Sequence, residues 1–407
     1  MNYRYYKFLF FSLMILVSSC ASKQGRTQER GKHAINFISE KKIESGAQRT
    51  DLYFPLIESK TIALVCNHTS VIGDKHLADS LFSAGFKILT IFSPEHGFRG
   101  EAEAGAEITD GIDDRTGAKI ISLYGKKKKP LPADLAGIEI IVFDIQDVGV
   151  RFYTYISTLS LVMEAAAGAG IPVIVLDRPN PNGFYIDGPV LDTNFRSFVG
   201  MHPVPVVYGM TIGEYAQMIN GERWIGQNKC NLTVIPMKGY DHSMLVQLES
   251  KPSPNLPDWH SIYLYPSLCL FEGTFISVGR GTELPFQVIG HPAYLIGSYM
   301  FTPKSIPGVA DHPPYEDMTC FGLRLTDSAD DYSKHPNHFN LYWLKSMKET
   351  FRDSTDFFNA YFDKLAGNEQ LRNDILAGSS EEEIRMKWEP GLTEFRQTRK
   401  KYLLYPD

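Results

Sequence analysis

Unbroken apolar runs, not alternating ones, mark the first half of this chain. TIALV (61–65), KILTIF (87–92), IEIIVFD (138–144) and IPVIVLD (171–177) are each short and rich in β-branched residues. KIISLYG (119–125) is a weaker run of the same kind. Such runs predict strands buried on both faces. Residues 75–84 and TYISTLSLVMEAAA (154–167) carry helical character between them. Strands alternating with helices predict an α/β fold with a mostly parallel sheet, Rossmann-like in layout. The first strand is followed by CNHTS and not by GxGxxG, so the dinucleotide fingerprint is missing and no cofactor is expected.

The pattern changes near residue 205. MTIGEYAQMING (210–221) predicts a helix and LTVIPM (232–237) a strand. Residues 252–315 are rich in Pro, Gly and aromatics, and helical stretches resume over 339–351 and 374–401. The expected organisation is a leader (1–20), a tether and lead-in (21–50), a Rossmann-like catalytic domain (51–204) and a smaller α+β domain (205–407) that completes a cleft.

The leader MNYRYYKFLFFSLMILVSSC has two cations, a short apolar run and small residues before Cys20. It is too short for a spanning helix of a folded domain and reads as a bacterial lipoprotein signal, with Cys20 acylated. The expected location is the cell envelope, lipid-anchored and facing the periplasm or exterior. The remaining four cysteines are widely spaced and form no CxxC. Lys+Arg 41 against Asp+Glu 47 gives a net charge of -6, which argues against a nucleic acid partner. The dense basic run, Lys126 to Lys129, reads as a solvated loop.

Ligands of open parallel sheets bind beyond the carboxyl ends of the strands. Three polar loops are expected there: CNHTS (66–70), SPEHGFRGEAEAG (93–105) and DIQDVGVRF (144–152). The second packs Glu95, Glu101 and Glu103 among small residues, as does a site that uses paired carboxylates on a glycosidic bond. His96 is placed to orient a glutamate. Asp144, Gln146, Asp147 and Asn67 are candidates for sugar hydroxyls. Arg99, Arg151 and Arg280 are candidates to grip an anion, since a guanidinium forks onto a carboxylate. Glu272 and Glu283 flank the glycine-rich GTFISVGRGT that carries Arg280. HExxH and GxSxG are absent, so no zinc motif or serine-hydrolase elbow supports those chemistries and no metal is expected.

The segments CNHTS, SPEHGFRGEAEAG, DIQDVGVRFYTY (144–155), DRPNP (177–181), FEGTFISVGRGTELPF (271–286) and the closing KYLLYPD resemble the NamZ-type exo-β-N-acetylmuramidase family of glycoside hydrolases, once grouped as a domain of unknown function. They span nearly the whole mature chain. The resemblance implies release of β-1,4-linked N-acetylmuramic acid from non-reducing ends of peptidoglycan fragments, in a cleft between a Rossmann-like domain and a smaller C-terminal one. It implies Glu95 as the catalytic glutamate, with Glu101 or Glu103 as its partner, and MurNAc-GlcNAc glycans as substrate. Two other readings stay open: a metal-dependent amidase or hydrolase on wall fragments, and a lipoprotein that binds muropeptides without cleaving them.

Overall fold

In the computed structural model, described residues are 38–39, 43–95, 97–99, 110–326 and 339–407. Cys20, His96, Glu101 and Glu103 lie outside them.

Seven strands form the principal sheet. They are β1 (Thr61–Cys66), β2 (Lys87–Ser93), β3 (Gly111–Ile112), β4 (Lys119–Ser122), β5 (Ile140–Asp144), β6 (Val173–Leu176) and β7 (Leu232–Ile235). Their spatial order is β7-β6-β5-β1-β2-β4-β3, and every pair is parallel except β3 with β4. The apolar runs are continuous because β1 feeds two cores. Ala63 and Val65 point into one, whereas Ile62, Leu64 and Cys66 point into the other. Helices α1 (Thr50–Ile57) and α2 (Leu77–Ser83) cover the second face; α3 (Tyr155–Ala169) and α4 (Ile212–Gly221) cover the first.

The expected boundary at 205 falls short of the sheet's completion, since β7 and the helix packed on it come later. LTVI is only partly buried at a sheet edge, which weakened its signal. Nor do the two halves keep separate cores: Leu159 and Val162 of α3 share a cluster with Leu264, Phe286 and Trp388 from the second half. That half contributes α5 (Trp259–Leu268) and an antiparallel sheet of β8 (Val288–His291), β9 (Tyr299–Phe301) and β10 (Cys320–Arg324), ordered β8-β10-β9. Helices α6 (Tyr342–Thr350), α7 (Phe362–Ala366), α8 (Gln370–Leu376) and α9 (Glu381–Arg399) follow.

The helical pattern over 374–401 resolves into two helices. Gly378, at φ +76°, breaks the first, and Ser380 with Glu383 forms a capping box that starts the second. No helix among the described residues is long and apolar enough to cross a membrane.

Candidate active site

A cleft of about 480 Å³ opens beyond the carboxyl end of β2, within the usual range for small-molecule sites. Glu95 reaches it two residues after β2 ends, through a turn closed by Gly97 N–H donating to the Pro94 carbonyl at 3.2 Å. The neighbouring strand supplies its first partner. Ser93 pairs in register with Ser122 of β4, and the Leu123 amide donates to the Ser93 carbonyl at 2.8 Å. That register sets Tyr124 beside Glu95, and the two side chains hydrogen-bond. Burial, then the charge of Glu95, pushes the Tyr124 hydroxyl well above its usual pKa. The second partner is Thr154, the residue before α3, whose hydroxyl donates to Glu95 Oε2 at 3.0 Å.

Aromatic side chains make the wall. Phe152 and Tyr153 meet the Tyr265 ring edge-on at 5.4 and 6.0 Å, and Tyr265 meets Phe286 at 4.9 Å. Tyr153 also donates to the Pro252 carbonyl at 2.6 Å. Glu272 enters from the 3-10 helix Cys269–Gly273 that follows α5, and accepts from Arg280 Nε at 2.6 Å. The Arg280 guanidinium stands 5.0 Å over the Phe286 ring. Its neighbours Gly279 and Gly281 both have positive φ, +77° and +78°. A Cβ on either would come within 2.4 Å of Val288 Cγ2 or the Lys304 carbonyl oxygen. Only glycine fits there, and the two turns present Arg280 to the cleft. Tyr361, Lys128 and Lys364 complete the rim. Lys128 thus lines the cleft, its ammonium 4.5 Å from the Phe198 ring, although its run reads as plain surface.

Of the residues expected in the site, Glu95 and Arg280 line the cleft. Most others hold the scaffold. Asp144, at the carboxyl end of β5, is fully buried and paired with Arg178 at 2.5 and 2.9 Å. Asn67 accepts from the Thr69 amide and hydroxyl and donates to the Tyr155 hydroxyl at 2.9 Å, which braces the cleft wall from behind. Gln146 donates to the Asp147 and Pro179 carbonyls. Asp147 accepts from Tyr208 and from the Gly149 amide; burial pushes its pKa up to about 6. Arg151 is wholly buried and donates to four carbonyls, of Pro189, Val204, Leu365 and Ala366. Among the described residues no carboxylate pairs with it, and burial lowers its pKa to about 9. Arg99 bridges Asp113 at 2.8 Å and Asp79 at 3.2 Å. Glu283 is exposed and does not line the cleft.

Sequence reasoning did not single out Tyr124, Thr154, Tyr361 or Lys128. Thr154 lies within DIQDVGVRFYTY, whereas Tyr124, two residues past the end of β4, falls inside the run KIISLYG that reads as strand. Glu272 flanks the glycine-rich segment of Arg280 in the sequence, which is the signal for it. The closing KYLLYPD is a clasp: the Tyr405 hydroxyl donates to Asp177 at 2.6 Å and the Leu404 amide to Glu214 at 2.8 Å. Among the described residues, no group of three or more His, Cys, Asp or Glu side chains could hold a metal ion. Cys66, Cys230, Cys269 and Cys320 are buried and unpaired.

Residues 62–260 match the profile of the N-terminal part of exo-β-N-acetylmuramidase NamZ, and residues 263–405 match its C-terminal part. The peptidoglycan β-N-acetylmuramidase NamZ of Bacillus subtilis (strain 168) is 40% identical over 372 residues, 87% of this chain and 89% of the relative. Two crystal structures of DUF1343-family proteins from Bacteroides fragilis NCTC 9343 share the fold. One is 45% identical with a TM-score of 0.83, covering 90% of this chain and 99% of that one. The other is 30% identical with a TM-score of 0.76, covering 89% and 99%.

Proposed function

The chain belongs to the exo-β-N-acetylmuramidase NamZ family of glycosidases, and from that premise we propose that it releases β-1,4-linked N-acetylmuramic acid from the non-reducing ends of MurNAc-GlcNAc fragments of peptidoglycan. The observation that carries this reading is Glu95: a carboxyl at a strand end, held by two hydroxyl groups and open to a cleft walled by aromatic rings. Glu95 is the general acid that protonates the departing glycosidic oxygen. Thr154 and Tyr124 fix its rotamer. The rings of Phe152, Tyr153 and Tyr265 supply apolar surface for the sugar.

Muramic acid differs from glucosamine by a lactyl ether that ends in a carboxylate. Arg280 is the cation for it. Its Nε is spent on Glu272, and its two Nη groups have no acceptor among the described residues. The aromatic face beneath it holds the guanidinium plane in position. We read Cys20 as the acylated residue, so that the enzyme works at the cell envelope on a lipid tether.

The test is incubation of the leaderless protein with MurNAc-β-1,4-GlcNAc, followed by mass spectrometry. Wild type releases free MurNAc, and Glu95→Gln slows this by roughly 10²–10⁴-fold. An intact disaccharide with wild type sinks the substrate; equal turnover by Glu95→Gln sinks the role of Glu95. Tight binding of muropeptides without turnover gives the binding-protein reading instead.

A further inference from the structure

We propose that Glu272 is the second catalytic carboxylate, standing across the anomeric carbon from Glu95 and activating the water that replaces the leaving sugar. This deepens the muramidase reading and rests on it.

Among the described residues, the cleft is lined by two carboxylates, Glu95 and Glu272. They arrive from different halves of the chain, one from the carboxyl end of β2 and the other from the 3-10 helix after α5. A sugar bound in this cleft meets both carboxylates, as acid and base on a glycosidic bond require. Tyr361 lines the same cleft. After burial, the nearby negative charges that push its hydroxyl upward include both Glu272 and Glu95.

The two carboxylates keep different company. Among the described residues, Glu95 meets hydroxyls, from Thr154 and Tyr124. Glu272 touches a cation: Oε1 accepts from Arg280 Nε, while Oε2 has, among the described residues, the weak thiol donor of Cys269 at 3.5 Å. Unequal surroundings are what divide the acid from its partner in carboxylate pairs. Oε2 is the atom left for water. In the step, the water oxygen bonds to C1 as the C1–O glycosidic bond breaks. Glu272 Oε2 takes a proton from that water, and the departing oxygen takes the proton of Glu95. Solvent returns both carboxyls to their starting states.

Arg280 then has two tasks on two edges. Its Nε edge holds Glu272, and its Nη edge meets the lactyl carboxylate. Binding of the distinguishing group of the substrate is thereby coupled to the position of the base.

The experiment uses two substrates, MurNAc-β-1,4-GlcNAc and the 4-nitrophenyl β-glycoside of MurNAc, whose leaving group needs no proton. Glu272→Gln keeps the shape and a hydrogen-bonding group. It lowers kcat on both substrates by about a thousand-fold, whereas Glu95→Gln does so on the disaccharide and largely spares the aryl glycoside. Glu272→Ala with sodium azide regains aryl turnover and yields the α-glycosyl azide, because azide needs no base and enters from the face Glu272 has vacated. A merely structural role gives no azide adduct. Glu272→Gln at wild-type kcat, with Glu95→Gln inactive on the disaccharide, overturns this inference alone. The same panel then includes Glu101→Gln and Glu103→Gln to find the partner. If Glu95→Gln is also fully active, the reading beneath it falls as well.

Discussion

Two polar regions lie at the carboxyl ends of the parallel strands, and only one of them faces a cleft. The first sits where the chain's connections diverge, between β1 and β5, and holds Asn67, Asp144, Gln146, Asp147 and Arg178. In doubly wound folds that crevice is the usual ligand site. Here the protein fills it itself: all five residues are at most 4% exposed, and Arg178 takes the Asp144 carboxylate with two of its nitrogens. The second region is one strand over, at the end of β2, where Glu95 meets hydroxyls and the Arg280 Nη groups have no acceptor among the described residues. The loops look alike as sequence. They differ in whether the fold has already consumed their hydrogen-bonding capacity. Arg151 and Arg280 make the same contrast with one residue type. One guanidinium is spent on four backbone carbonyls, and the other, among the described residues, is spent on its Nε edge.

The largest effect that tests this division falls on the plugged crevice. Arg178→Met leaves a buried Asp144 charge without its partner and costs about 3–5 kcal/mol of stability, read as a drop in the denaturant midpoint. Activity per folded molecule stays within about twofold, since the pair does not line the cleft. A stable Arg178→Met protein with lost turnover would move the active site to the switch point.

Asp147 sharpens the same contrast through pH. Its pKa is raised to about 6 by burial, and an acid with a raised folded pKa lends stability below its unfolded value. That stability is present below about pH 4 and is lost as pH rises through about 6. Replacing it with Asn removes a decline of up to about 3 kcal/mol across this window. Thermal melts of both proteins from pH 4 to 7 measure it. The wild-type advantage shrinks as pH rises, and the pH profile of kcat/KM is unchanged in shape.

Next in size is Arg280→Lys. Lysine keeps the charge but has no fork to hold Glu272 and a substrate carboxylate together, so kcat/KM falls by about 30-fold, roughly 2 kcal/mol. The melting temperature barely moves. An equal loss of stability and activity would make Arg280 another Arg151.

The division also explains what the chain could disclose before folding. The strands TIALVC, IIVFD and VIVL were legible because burial on both faces leaves an unbroken apolar run, as TIALV does by feeding two cores; KILTIFS and KIIS kept apolar runs although each starts exposed. LTVI was legible as a strand, but not as part of this sheet, because it is a half-exposed edge beyond a change of pattern. The antiparallel sheet was harder, since two of its three strands arise inside a Pro/Gly/aromatic stretch where local pattern is weak. Glu95's place in the cleft was legible because it follows Pro94 just past the carboxyl end of a parallel strand, where ligands of such sheets bind. Partnership was not. Whether Asp144 meets a ligand or Arg178 depends on a contact 34 residues away, and Tyr124 finds Glu95 only through the β2–β4 register. Motif matching did not separate them either, since DIQDVGVRFYTY contains both buried Asp147 and cleft-lining Thr154.

The smallest expected effect belongs to Arg99, which sits four residues from Glu95 in the same charged stretch. Its guanidinium is occupied by Asp79 and Asp113, and its side chain is 30% exposed. A pair with that much solvent contributes little, so Arg99→Ala costs under about 1 kcal/mol. The cost comes from loosening the Asp113 turn, where Thr116 also donates, and from uncovering the Phe98 ring. Turnover of the disaccharide should stay within about threefold, against the roughly 30-fold loss for Arg280→Lys. Steady-state assays of the two variants side by side make the comparison. If Arg99→Ala instead raises KM as strongly as Arg280→Lys, the arginine that meets substrate lies in the glutamate loop, and a salt bridge in the unliganded chain does not mark an arginine as spent.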